Sequence, residues 1–174
     1  MTAPEFARPQ RADTIGDEPR VVRIEADAGE RAALARRFGL VDIERLSGDF
    51  TLRRDAAGIV ADGRVEAALT QACSITGDPL PARVDESVAL RFVPDDEAGQ
   101  EEIELGDGDI DVIAYGGGAI DLGEVAAETM ALALDPFPRG PNAEATLRES
   151  GVLSEEEAGP FGALAALKDK LGKA

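Results

Sequence analysis

Residues 119–141 read AIDLGEVAAETMALALDPFPRGP, and this stretch decides the fold class. It describes a capped helix with a hard stop. Asp121 is placed to accept from the free backbone N–H groups of a first turn, and Glu124 follows at capping-box spacing. Leu122, Val125, Ala126, Thr129, Met130 and Ala133 recur at three- and four-residue intervals, which makes one apolar stripe. Pro136 pushes Asp135 out of the α region, and Pro138 prevents the helix from resuming. A helix with one such stripe is expected to dock on a sheet.

The sheet lies upstream. Val21 to Glu25 reads as a short strand. Asp27 and Glu30 repeat the cap-plus-three pattern, Leu34 and Phe38 share a side, and Gly39 stands at the C′ position, so a helix is expected over 29–38. Val41 to Arg54 alternates, but its apolar parity changes between Ile43 and Leu46, which calls for a bulge near Arg45 or Gly48. Ile59 to Thr70 and Val84 to Phe92 are two further alternating runs, separated by turn signals. Short connections make antiparallel pairing the economical topology. The expected architecture is α+β: a mainly antiparallel sheet of about five strands, two packed helices and a C-terminal tail helix. The expected boundaries are a flexible tail at 1–19, a single α+β domain at 20–138 with an acidic loop at 94–109, a linker at 139–159, and a short amphipathic helix at 160–172.

Composition excludes several function classes. The chain has 174 residues, enough to bury a real core. Its net charge of −17 is uneven: residues 1–92 carry 13 basic and 16 acidic side chains, whereas 93–174 carry 5 and 19. Histidine is missing and Cys73 is the single cysteine, which removes intramolecular disulfides, Cys/His zinc sites and His-based catalytic pairs. Only a carboxylate-held Mg²⁺ or Ca²⁺ site stays open as a metal option, and no cofactor is expected. No apolar run approaches the roughly 18 residues of a membrane span, and MTAPEFARPQ lacks a signal-peptide hydrophobic region. A cytoplasmic protein is expected.

Some features suggest chemistry at first sight. Cys73 continues the inward parity of Leu69, which favours an inert thiol, and no basic residue lies near it in sequence to depress its pKa. Gly116-Gly117-Gly118 lacks the P-loop Lys and the dinucleotide spacing, and Asp121 follows it, so a phosphate loop is rejected. Asp95 to Asp111 holds nine acidic residues and no basic one. The plain reading is a solvated loop; the sharper one is an arm that grips a basic protein or mimics a phosphate backbone. Near the C-terminus, Phe161, Leu164, Leu167 and Leu171 form a short stripe. Lys168, Lys170 and Lys173, the only lysines, gather at its end. Helix-dipole placement explains them, and a detachable docking peptide is the alternative.

Three separated stretches then combine: Leu69-Thr70-Gln71-Ala72-Cys73-Ser74-Ile75-Thr76-Gly77-Asp78-Pro79-Leu80, the Asp121-Leu122-Gly123-Glu124 … Glu128 helix ending in Pro136-Phe137-Pro138-Arg139, and Gly159-Pro160-Phe161 to Lys168. Together they resemble the YceD family, the large-ribosomal-RNA-subunit accumulation proteins of bacteria and plastids. The resemblance implies a non-enzymatic cytoplasmic factor in ribosome biogenesis and brings no catalytic residues. Many members carry Cys-x-x-Cys where this chain has Thr76, so any metal or redox role of that pair is not shared here.

Two modes of action fit these readings. In the first, an Arg face built from Arg36, Arg37, Arg53, Arg54 and Arg64 contacts large-subunit ribosomal RNA, since the planar guanidinium fork suits phosphate. In the second, the chain is an acidic escort for a basic ribosomal protein, with Phe161, Leu164, Leu167 and Lys168 as a second contact. An enzyme is disfavoured. Asp121 and Glu128 lie about 10 Å apart along a helix axis, too far to share a proton.

Overall fold

The computed structural model describes residues 4–95 and 110–152. They fall into two compact units, one drawn from Met1–Gln71 and Pro81–Pro136, the other from Ala72–Leu80 and Phe137–Ala174. The expected tail helix at 160–172, and residues 96–109 of the expected acidic loop at 94–109, lie outside the described residues.

The first unit is built on a five-stranded sheet whose strands lie side by side in chain order. Its strands are β2 (Arg20–Glu25), β3 (Asp42–Asp55), β4 (Gly58–Ala72), β5 (Pro79–Pro94) and β6 (Asp111–Tyr115). β2–β3 and β3–β4 are antiparallel, and β5–β6 is a parallel pair. The register of β3 against β4 shifts between Ile43 and Arg45, so Glu44 is the extra residue that the parity change demanded. Beyond the shift, Leu46, Phe50 and Leu52 all turn inward and are buried.

Helix α1 (Ala28–Phe38) has the expected reciprocal cap: Glu30 N–H donates to Asp27, and Asp27 N–H donates to Glu30. Gly39 ends it at φ 66°, the left-handed conformation that glycine adopts without a Cβ penalty. Helix α2 (Leu122–Leu132) follows the short strand β7 (Ala119–Asp121). Both helices pack on β3. Leu34 from α1, and Leu122, Ala126 and Met130 from α2, meet Leu46, Phe50, Ile59 and Leu69 in one core. Each large side chain removed from water there contributes about 1.5–3 kcal/mol. Ala133, expected in the stripe, is instead exposed at the C-cap of α2.

The N-terminal segment corrects the expectation of a flexible tail. Strand β1 (Pro9–Arg11) pairs antiparallel with β7. A 3-10 turn at Ala12–Thr14 follows, and Phe6 and Ile15 are buried. The physical reason lies at the start of α2. There Gly123 faces the carbonyl of Phe6 so closely that any Cβ would collide with it. Arg8 N–H donates to Asp121 Oδ1 at 2.7 Å, and Leu122 N–H donates to the Arg8 carbonyl at 3.3 Å.

In the second unit, helix α3 (Ala143–Glu149) occupies part of the expected linker and buries Ala143. No described helix is long and apolar enough to cross a membrane.

The ordered N-terminus sets a testable expectation. Phe6→Ala should cost about 3–5 kcal/mol of stability in urea unfolding, as for other buried aromatic truncations. A midpoint equal to wild type would mean that residues 4–15 are the passive tail their composition suggests.

Candidate functional site

The Asp-Leu-Gly-Glu motif turns out to be a clasp, each residue with its own task. Asp121 Oδ1 accepts from Gly123 N–H at 2.9 Å and Glu124 N–H at 3.4 Å, and from Arg8 N–H as well. One carboxylate therefore satisfies two orphan donors of α2 and one of the N-terminal segment. Leu122 is fully buried, and Gly123 admits the Phe6–Arg8 backbone. Glu124 does not complete the capping box that its spacing suggested. Its carboxylate instead takes a two-pronged hydrogen bond from Arg37, which also donates to Glu5 at 3.2 Å. Arg8 grips Glu30 in the same forked way, at 2.7 and 2.8 Å. That hydrogen bond holds the Glu30 carboxyl below its usual pKa. A depressed carboxyl stabilises the fold above its unfolded pKa, and that contribution is lost as pH falls through the folded value. Glu128 is exposed on α2 and has no cation partner among the described residues.

Within the second unit, the Cys-x-x-Thr loop captures the turn Phe137-Pro138-Arg139-Gly140. Ser74 donates to the Pro138 carbonyl through its N–H at 2.8 Å and its hydroxyl at 3.0 Å. Cys73 Sγ accepts from Gly140 N–H at 3.3 Å and Thr76 N–H at 3.5 Å. The Thr76 oxygen accepts from Asp78 N–H at 3.2 Å. The thiol is only 3% exposed. Its pKa is nevertheless pushed down to about 6, first by the Thr76 hydroxyl, then by the backbone N–H groups of Gly140, Thr76 and Ile75. No basic residue takes part, as the sequence led one to expect; hydrogen-bond donors lower the pKa by themselves. Arg139 is exposed and has no carboxylate partner among the described residues. Pro136 closes the first unit.

The five candidate RNA-contacting arginines do not form one face. Arg64 donates a fork to Asp85 on β5. It belongs to a row that alternates in sign across four strands: Arg23 lies opposite Asp49, Asp49 lies opposite Arg64, and Arg64 reaches Asp85. Arg45 adds a looser pair with Glu66, and Arg53 shares Asp55 with Arg91. Arg54 points elsewhere. Its guanidinium donates to the Ile15 carbonyl at 3.1 Å and the Ala12 carbonyl at 2.7 Å, tying β3 to the N-terminal turn. Arg37 is held in the clasp. Arg36 alone of the five is exposed without a carboxylate or carbonyl partner among the described residues. Phe161, Leu164, Leu167 and Lys168 lie outside the described residues.

No described group of three or more Cys, Asp or Glu side chains is arranged to hold a metal ion. The family described as "Large ribosomal RNA subunit accumulation protein YceD" matches residues 61–168. This chain belongs to the YceD family. No curated protein and no solved structure matches it. The family's name links the chain to accumulation of large-subunit ribosomal RNA. In this YceD protein the motif residues before Pro136 are chiefly those that assemble the fold. Those around Cys73 lock one loop onto one turn. Sequence reasoning missed Phe6 and Arg8, and the signal was slight: one aromatic and one arginine inside a Pro- and Ala-rich segment.

The Cys73 cradle makes a clear expectation. Ultraviolet absorbance of the thiolate should titrate with a midpoint near pH 6, and Thr76→Val should raise that midpoint. Because the folded pKa lies below that of an ordinary thiol, the thiolate contribution to stability should grow between the two values and vanish below the lower one. Titration near the ordinary thiol value would show that the cradle does not stabilise the anion.

Proposed function

We propose that this YceD protein supports accumulation of large-subunit ribosomal RNA as a non-enzymatic escort for a basic protein of that subunit. The observation that carries the proposal is the alternating row Arg23, Asp49, Arg64, Asp85 on the open sheet face. Arginines arranged this way are already matched by the protein's own carboxylates. Exposed pairs of this kind are each worth only about 0–1 kcal/mol, so a phosphate could displace them one at a time. The larger obstacle for RNA is the surrounding field. Residues 4–95 and 110–152 carry 15 arginines against 24 carboxylates, and residues 96–109 add seven more acidic side chains and no basic one. A surface of that sign repels a polyanion at long range and speeds encounter with a polycation.

The same field gives the escort its use. A basic ribosomal protein free of RNA associates unspecifically with any polyanion. A soluble acidic carrier competes with those contacts and surrenders its cargo when the denser charge of ribosomal RNA is in reach.

The test is a capture experiment with purified large-subunit ribosomal proteins and, separately, large-subunit ribosomal RNA. The full chain should retain one or more basic proteins, with affinity falling as salt rises, and deletion of 96–109 should weaken retention. Retention of RNA that is lost in an Arg36→Ala, Arg53→Ala, Arg64→Ala triple variant would contradict the proposal and return the Arg-face mode.

A further inference from the structure

The first unit carries a groove between the middle of β5 and the C-terminal end of α2. Glu86, Val88, Leu90, Asp111, Thr129 and Leu132 are among its walls, and it encloses about 340 Å³. Room for roughly ten waters at about 30 Å³ each suits side chains of another polypeptide, not a folded body. Leu132 stands 86% exposed at the groove's edge. A single exposed leucine is ordinary. One that borders an open groove floored by Val88 and Leu90 is a different matter, since an apolar side chain can be enclosed there from several sides.

The charge around this groove has one sign. Neither Glu86 nor Asp111 has a cation partner among the described residues. The last turn of α2 contains no basic residue, so the negative end of that helix lacks the cation that commonly offsets it. Asp111 is also the last member of the acidic run that begins at Asp95. No arginine lines the groove.

We propose that this groove is the docking site for the escorted protein, and that it takes an amphipathic basic segment with aliphatic side chains facing Leu132 and Val88 and Lys or Arg groups beside Glu86 and Asp111. This rests on the escort reading and adds to it a place and a recognition chemistry. Apolar contact supplies selectivity among basic partners, which the acidic run by itself would hold indiscriminately. Carboxylates on the walls orient the segment, because a neutral or acidic helix would leave them facing apolar surface or like charge.

Binding to two synthetic peptides of about 18 residues, made only of Leu and Lys, tests the site. One places Leu at helical spacing, and the other has the same composition in permuted order. The full chain should bind the ordered peptide at least about tenfold more tightly than the permuted one. Leu132→Glu, a change at an exposed position, should abolish that preference. Glu86→Lys with Asp111→Lys should weaken binding of the ordered peptide and flatten its salt dependence. Equal binding of both peptides, unchanged binding by Leu132→Glu, or a wild-type dimer that Leu132→Glu dissociates without affecting peptide binding would each overturn the groove. Repeating the capture of large-subunit proteins separates the two claims. Equal capture by wild type and Leu132→Glu removes the groove and leaves the escort. Absence of any captured basic protein removes the escort, and the groove with it.

Discussion

Asp121 Oδ1 is the atom on which the first unit depends. It accepts from two N–H groups of α2 and from Arg8 N–H, so the start of the helix and the course of the N-terminal segment are settled together. Gly123 makes the arrangement sterically possible, since the Phe6 carbonyl occupies the space of a side chain. Phe6 can then enter the core beside the sheet residues, and Glu124 is left to Arg37. Hydrogen bonds to an ionised carboxylate contribute about 1.5–3 kcal/mol each. Loss of this one side chain would leave three donors without their acceptor, and the buried aromatic would lose its anchor.

The second constraint is electrostatic. A protein with this excess of carboxylates has few ways to hold its arginines except against them. Arg8 and Arg37 cross-link elements, Arg54 satisfies backbone carbonyls, and the sheet face alternates sign from strand to strand. Positive charge is thereby spent inside the fold. Among the described residues Arg36 and Arg139 are left without a carboxylate partner, and Glu86, Asp111 and Glu128 without a cation partner. In the proposed escort role, a net negative surface speeds encounter with a cationic partner and repels nucleic acid at long range.

Much of the fold was legible because it is local. The capping box of α1, the glycine that ends it, the alternation of β3 to β5 and the bulge at Glu44 all follow from residues within a few positions of one another. The Asp121 cap was legible for the same reason. Three features were not. Phe6 and Arg8 are ordered by contacts more than a hundred residues away, and composition marks such a segment only as polar and proline-containing. Arg53, Arg54 and Arg64 read as a basic cluster in sequence, but strand alternation sends Arg54 to the opposite side from Arg53, and carboxylates on neighbouring strands meet Arg53 and Arg64. Cys73 looked unperturbed because its donors include Gly140, sixty-seven positions along the chain.

In the proposed escort role the folded body matches most of its sheet-face arginines with its own carboxylates and meets the ribosome-assembly pathway through cationic protein instead of RNA. Cross-linking in living cells tests this most directly, with ultraviolet light for contacts to RNA and a carboxylate-to-amine reagent for contacts to protein. Carboxylate-to-lysine links to a basic large-subunit protein are expected at Glu86, Asp111 or the acidic run, with no ultraviolet adduct above background. Abundant ultraviolet adducts on the peptides that carry Arg36, Arg53 and Arg64, without such links, would contradict it.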